Sequence, residues 1–487
     1  MGRTYTRNTY EHMLGKYIKS LIGWKKSDDE QPAALVLDIA QSKPAEAETG
    51  RIIDTGHVPG SDVITAILPV ETSGGQTDAE NLRQRFLSHQ PLLDRSQYVV
   101  GYELSLRHKT AQLQNDAGEL QLLQGQTLVK CLIDHDINRL ANDKQTLLTL
   151  PPAMLGNPLL LLLPQKGLTL CFDFGGSFDE TTWHRCKELK ALGYRIALDN
   201  FTPGSAMEIL LELAQFARID VTRYNAIELA RIIDKLLEKS PQIQLVARNV
   251  NTEVDFDVCR KLFFHYFQGY YFAKLQPTAP SRIDSDRVRV MELLNMVKNR
   301  AEIAEIERVF KHDATLSYKL LLYMNAPVNR LSQEIHSIAH AIIILGYEQL
   351  YRWLTLLLFT SGIVDPRSKA LLKSALVRAR MAELLGQERF SGQERDELFI
   401  VGIFSLLDVL LNAPMVQAVE RLHLPSSITE ALIRHSGVYA PYLDLAVACE
   451  DADEESISRI AADSGLDAKT VNQAHIQALI WAEEIDL

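Results

Sequence analysis

Cysteine is scarce and unpatterned in this chain of 487 residues: Cys131, Cys171, Cys186, Cys259 and Cys449, with no pair at CxxC spacing. An odd count without ligand spacing excludes a disulfide scaffold and a zinc framework, and it places the chain in a reducing cytoplasm. Long hydrophobic runs are missing too. The greasiest stretches, 159–163 and 353–359, fall far short of the ~18 apolar residues that span a bilayer. The N-terminus lacks the continuous apolar core and small-residue cleavage site of a secretory signal. Positive charge is not in excess. Lys and Arg number 51 against 62 Asp and Glu, a net charge of −11, which excludes nucleic acid as a partner of the whole surface. No glycine-rich phosphate loop follows the first strand candidate, which tells against a dinucleotide-binding sheet.

What is present is organised around Gly193–Gly204, which reads Gly-Tyr-Arg-Ile-Ala-Leu-Asp-Asn-Phe-Thr-Pro-Gly. The spacing predicts a buried strand over 195–198, a polar turn at Asp199 and Asn200, a breaker cluster, and a helix capped by Ser205. Strand, acidic turn and helix together hold a carboxylate at the mouth of an α/β barrel. Strand candidates at 98–104, 146–150, 168–172, 194–198, 216–219 and 243–247 alternate with helical patterns near 120–135, 179–191, 205–214, 225–238 and 253–262. Such alternation over ~200 residues implies a parallel sheet covered by helices, either a closed barrel or an open doubly wound sheet.

Strand patterns vanish after about residue 285. Helical periodicity continues through 286–298, 301–311, 315–324, 337–362, 368–386, 394–411 and 426–434, with breaks at Asn325-Ala326-Pro327, Gly362, Gly392 and Pro414. The domain expectation is therefore an N-terminal segment 1–84, a barrel domain 85–284 and an all-α domain 285–487. Residues 1–26 carry Arg3, Arg7, Lys16, Lys19, Lys25 and Lys26 against Glu11, with Tyr10, Met13, Leu14, Tyr17, Ile18 and Leu21 at helical spacing. This basic amphipathic helix is expected to dock on the chain itself; contact with a membrane surface is the alternative.

Five segments carry a family resemblance. Val99-Val100-Gly101-Tyr102-Glu103-Leu104-Ser105-Leu106-Arg107, Asp199-Asn200-Phe201, Arg218-Ile219-Asp220, Ala247-Arg248-Asn249-Val250-Asn251-Thr252 and Gln268-Gly269-Tyr270-Tyr271-Phe272 resemble, in order and spacing, the motifs of the EAL domain. That family hydrolyses the bacterial messenger cyclic di-GMP. Asp313-Ala314-Thr315-Leu316-Ser317-Tyr318-Lys319-Leu320-Leu321, Asn325-Ala326, 335–341, Leu345-Gly346 and Gly402–Asp408 resemble the HDOD domain, a helical module related in shape to HD phosphohydrolases. The fold the resemblance implies is α/β, a TIM-like barrel of EAL type, followed by an all-α HDOD domain.

The EAL reaction uses two divalent metals, and carboxylates from several strands must converge on them. The resemblance implies that Glu103 is a retained metal ligand and that Thr149 and Cys171 stand at two further ligand positions. It implies that Asp199 keeps its carboxylate beside a neutral Asn200. Arg218 stands for the catalytic lysine, Arg248 for the general base and Asn251 for a loop-anchoring glutamate, while Gln268 and Arg107 are retained. Two acids then face two arginines where the family has a strongly acidic pocket. The expectation is no metal, no cofactor and no catalytic residue, because an arginine stays protonated and cannot act as a base. Arg218 and Arg248 are expected to stand in for the metals by pairing with Glu103 or Asp199.

The function expected on these grounds is a cytoplasmic, non-catalytic signalling adaptor that works through protein partners. The alternatives are a cyclic di-GMP receptor using Arg107, Arg218 and Arg248, and a weak phosphodiesterase. In the helical domain, His312-Asp313 imitates a metal dyad, but Asp313 is placed to cap a helix. His340 reads as a core histidine, and the acid run from Glu450 to Glu455 as a solvated helix start.

Overall fold

The computed structural model describes residues 86–106, 117–134, 137, 139, 144–174, 179–275, 285–324, 335, 337–361 and 366–485. The basic N-terminal helix, Arg107, His336 and Asn325-Ala326 lie outside them.

Eight strands close into one barrel. They are β1 Ser88–Asp94, β2 Val99–Ser105, β3 Gln145–Leu150, β4 Leu168–Phe172, β5 Arg195–Leu198, β6 Phe216–Asp220, β7 Gln244–Arg248 and β8 Tyr266–Gln268. The strands from β2 to β8 are parallel neighbours, and β1 runs antiparallel to both β2 and β8. The sheet is closed, not open, and every sequence-expected strand is in it. β1 and β8 were not expected. β1 hides behind His89, Gln90 and Pro91, and β8 is only three residues long.

Helices α1 Ala117–Asp134, α2 Glu180–Ala191, α3 Ala226–Lys239 and α4 Glu253–Lys261 cover the barrel. α3 starts from a capping box of Asn225 and Glu228 and buries Leu229, Ile233 and Leu236, the i, i+4, i+7 stripe of a helix facing a sheet. Thr252 and Asp255 begin α4 the same way. The helix expected after β5 is instead a 3-10 segment, Ala206–Glu212. Ser205 does not cap it, because its hydroxyl donates to the Thr202 carbonyl at 2.7 Å.

Inside the barrel, Leu92, Leu147, Cys171, Ala197, Phe216 and Val246 form a separate apolar layer, packed against Val100 and Tyr266. The interior is thus filled below the mouth, as in other barrels of this kind.

The helical domain contains α5 Ser285–Lys298, α6 Ile303–Lys311, α7 Ala314–Met324, α8 Ile338–Thr360, α9 Pro366–Leu385, α10 Gly392–Phe404, α11 Leu407–Leu411, α12 Met415–Glu420, α13 Ser426–Arg434, α14 Ala440–Asp451, α15 Glu454–Asp463 and α16 Ala468–Glu484. Gly392 opens α10 behind the capping residue Ser391 and does not break a helix. α9 is the central element and packs on α10, α14 and α16. Gly402 makes the first of these contacts close: a Cβ there would meet the Ala379 Cα at 2.2 Å.

α8 is long and apolar enough to cross a membrane, which corrects the reading that no segment qualifies. It bends at Gly346 (φ 75°) and buries Trp353, Leu354 and Leu356 within the helical domain. His340 is exposed on α8 and is not a core residue. Asp313 caps α7 through the Leu316 amide at 3.0 Å, as expected. Glu450 is buried, not solvated, because Arg378 grips its carboxylate at 2.6 Å.

The two domains meet along β1 and β2. α14 packs on β1. The Asn472 side chain accepts from the Leu87 amide at 2.7 Å, and His475 Nδ1 lies 3.1 Å from the Leu87 carbonyl. His475 Nε2 meets His89 Nδ1 at 2.7 Å, and both rings are buried. Tyr102 on β2 donates to Glu483 on α16 at 2.6 Å, and Tyr270 donates to the His89 and Glu450 carbonyls, each at 3.2 Å.

Candidate functional site

Side chains alternate across a strand, so the residue two places beyond each apolar interior position points inward one layer nearer the C-terminal mouth. Leu147 is followed by Thr149, Ala197 by Asp199, Phe216 by Arg218, Val246 by Arg248 and Tyr266 by Gln268. Glu103 joins them from β2. A polar layer therefore lies on the apolar one, at the end of the barrel where such folds hold their sites.

Arg218 is its centre, with no exposed side-chain surface. Its Nη2 lies 2.5 Å from Glu103 Oε2 and donates to Gln268 Oε1 at 3.2 Å. Its Nη1 donates to Thr149 Oγ1 at 2.9 Å and to Asp199 Oδ2 at 3.3 Å. The Thr149 hydroxyl donates to Glu103 Oε1 at 2.7 Å, and Gln268 Nε2 donates to Glu103 Oε2 at 2.9 Å. Burial alone would lower the Arg218 pKa, but the carboxylates of Asp199 and Glu103 more than offset it and hold the guanidinium above its ordinary value.

Arg248 forms the outer tier. Its Nη1 pairs with Asp199 Oδ1 and donates to Asn200 Oδ1 at 3.3 Å. Asn200 in turn donates to Asp173 Oδ2 at 2.6 Å on the rim. Asn200 (φ 50°) and Asn249 (φ 58°) adopt the left-handed conformation just beyond β5 and β7, a geometry asparagine tolerates better than most residues. Gly269 (φ 145°) follows Gln268, and a Cβ there would come within 2.0 Å of the Val250 carbonyl oxygen, so the close of the barrel at β8 requires glycine.

The expected pairing of both arginines with the retained carboxylates is what the geometry contains. Cys171 belongs to the apolar interior directly against Arg218, and burial pushes its thiol up to about 12 although the guanidinium opposes this. Asn251 is exposed and is not part of the cluster. Arg218 is sealed behind its partners, so it does not present itself to a ligand as expected. Arg107 lies outside the described residues. Asp173 was missed. Its only signal was its place directly after β4, equivalent to that of Asp199 after β5.

The residues present do not fit two divalent ions. Such ions need several oxygen ligands each. All four oxygens of Glu103 and Asp199 are already engaged by protein donors. Among the described residues no group of three or more His, Cys, Asp or Glu is placed to hold a metal.

Comparison with known proteins places this geometry. The EAL domain family matches residues 78–275, and the HDOD domain family matches residues 285–422. The chain is an EAL–HDOD protein. A relative from Vibrio cholerae, cyclic di-GMP phosphodiesterase CdgJ, is 26% identical over 402 residues, covering 82% of this chain and 93% of the relative. YuxH of Bacillus subtilis is 25% identical over 408 residues, covering 82% of this chain and 98% of its own. Among solved structures, the FimX EAL domain from Pseudomonas aeruginosa bound to c-di-GMP is 20% identical. It covers 40% of this chain and 92% of that one, with a TM-score of 0.31.

The similarity to CdgJ overturns two expectations, that the EAL–HDOD chain is a non-catalytic adaptor and that it is not an enzyme. Both were drawn from the charge count of one pocket, whereas the likeness to a phosphodiesterase runs through both domains.

Proposed function

We propose that this EAL–HDOD protein binds cyclic di-GMP at the C-terminal mouth of its barrel and hydrolyses it slowly. The observation that carries the reading is the similarity to a named cyclic di-GMP phosphodiesterase over nearly all of that relative's length.

Arg248 is the residue we assign to the ligand phosphate. Its side chain is 10% exposed, more than Arg218, Glu103 or Asp199 in the same cluster. A guanidinium suits a phosphodiester because its planar donors match the phosphate oxygens. Arg107, two positions beyond the end of β2 in the sequence, is the second phosphate contact that the family resemblance implies. With two arginines balanced by Glu103 and Asp199, the pocket does not repel a dianionic dinucleotide. The hydrolytic half of the reading rests on the similarity to CdgJ alone, and Arg248, which occupies the place of a base and cannot take a proton, makes that turnover slow. A cytoplasmic location suits both the messenger and the free cysteines.

The test is calorimetric titration with cyclic di-GMP, followed by chromatographic detection of the linear dinucleotide over hours. Saturable binding with slow conversion is expected, and Arg248→Ala should weaken binding ~10-fold or more, the cost of one charge-assisted contact. Binding without conversion would remove the hydrolytic half of the reading. The absence of both would overturn it.

A further inference from the structure

Among the changes that separate this pocket from an acidic, metal-holding one, the arginine at position 218 lies between the two retained carboxylates. In a two-metal phosphodiester site, the ions neutralise the carboxylates that hold them and keep those carboxylates in register. In this barrel Glu103 and Asp199 are buried, and two buried carboxylates side by side are costly unless a cation lies between them. The group between them is the Arg218 guanidinium, which reaches Glu103 at 2.5 Å and Asp199 at 3.3 Å while also bonding Thr149 and Gln268.

We propose that Arg218 is the resident cation of this site, holding Glu103 and Asp199 as a divalent ion would, so that the barrel assembles and takes its ligand without metal. Arg218 is a positioning residue in this role, since it is sealed from the mouth. The planar guanidinium suits the task. It has donors on two edges, and the structure uses them on four partners, from β2, β3, β8 and the turn directly after β5. A metal ion would need oxygens that this network has already occupied.

Two consequences follow, of which the second separates this role from that of a merely structural ion pair. Removing either Arg218 or Glu103 alone leaves an unbalanced buried charge, whereas removing both leaves the Asp199–Arg248 pair neutral and intact. Removing Arg218 alone also frees Asp199 Oδ2 and takes the cation away from Glu103 Oε2, which Gln268 still engages, so the pocket gains a net negative charge and one open oxygen for a cation.

The test uses the full chain and thermal melts with Mn²⁺ or with a chelator. For the natural sequence the two melting temperatures should agree within about 1 °C, because nothing that binds only the native state has been added or removed. A rise of more than about 4 °C with Mn²⁺ would overturn the proposal. Glu103→Gln and Arg218→Met should each lower the melting temperature, and the double variant should recover most of the loss. Additive losses would also overturn it. Arg218→Gln, if it folds, should acquire Mn²⁺-dependent stabilisation.

Ligand binding in the absence of metal rests on the reading of the mouth as a cyclic di-GMP site, so the titration is run with and without chelator. Equal affinity is expected. Binding only with Mg²⁺ would overturn the resident-cation role. No binding in either buffer would tell against the ligand and leave the melting results to decide Arg218.

Discussion

Two buried arginine clusters, one in each domain, solve the same electrostatic problem differently. In the barrel, Arg218 lies between two carboxylates whose oxygens are all engaged, and its charge is reinforced. In the helical domain, Arg352 on α8 pairs with Asp396 and lies 3.8 Å from Glu383 Oε1, an oxygen with no hydrogen bond. Burial pushes Glu383 up to about 7, despite Arg352 and Arg380, and burial lowers the pKa of Arg352 itself. The barrel cluster is therefore knit by direct hydrogen bonds to every carboxylate oxygen, and the helical cluster holds a carboxyl that titrates near neutrality. A carboxyl near neutrality relieves a lost partner by taking up a proton.

The largest effect that tests this contrast is truncation of the arginines. Arg218→Met should cost ~3–5 kcal/mol, as for any broken buried ion pair. Arg352→Met should cost about half as much, because Glu383 protonates in response. Denaturant unfolding at neutral pH measures both, and equal losses would erase the contrast.

A second effect lies in the direction of pH dependence. The Glu383 pKa is about 7 when folded against an ordinary 4.5, so the folded state holds the proton more tightly. Its contribution is present below about 4.5 and is lost as pH rises through about 7, on the order of 3 kcal/mol. The seam behaves oppositely. Burial lowers His475 to about 4 from 6.5, although the Leu87 carbonyl opposes this, and His89 is lowered by burial, His475 and Arg378. The groups that face this pair are Tyr102, Tyr270 and the Arg378–Glu450 pair. The unfolded chain takes up protons below about 6.5 that the folded seam refuses, so stability falls as pH drops toward about 4, by a similar magnitude. Melting curves of Glu383→Gln and His475→Gln against pH should each lose one of these two slopes. If both slopes survive in both variants, the assignment is wrong.

The smallest effect concerns the joint itself. Tyr102→Phe removes the hydrogen bond to Glu483 and should cost about 1–2 kcal/mol. Protection from hydrogen exchange should fall in α16 and stay unchanged in α3, on the far side of the barrel. Equal changes in both helices would mean that Tyr102 supports the barrel and not the joint.

Much of this was legible in the sequence because it depends on local pattern. Apolar runs at 168–172 and 243–247, and motif residues at the ends of such runs, predicted both the strands and the tier of Glu103, Asp199, Arg218, Arg248 and Gln268. The pairing of Arg218 with Glu103 and Asp199 was legible from charge balance, since buried acids without metal require a cation. β1 was not, because Pro91 and flanking polar residues mask a strand whose partners are β2 and the distant β8. The burial of Glu450 was hidden for a related reason. An acid run reads as solvated until a helix 72 residues earlier in the chain supplies Arg378. His89 and His475 are 386 residues apart, and nothing local marks either as half of a pair.

Tyr102 and Glu103 are consecutive residues of β2, one gripping α16 through Glu483 and the other holding Arg218. Because a strand's side chains alternate, a slip of one residue exchanges its two faces. An inserted or deleted residue in this short strand would send a tyrosine ring into the charged interior and a carboxylate toward the buried histidines. The pocket and the joint are therefore written in a single frame, and β2 cannot be reworded for one without being misread by the other.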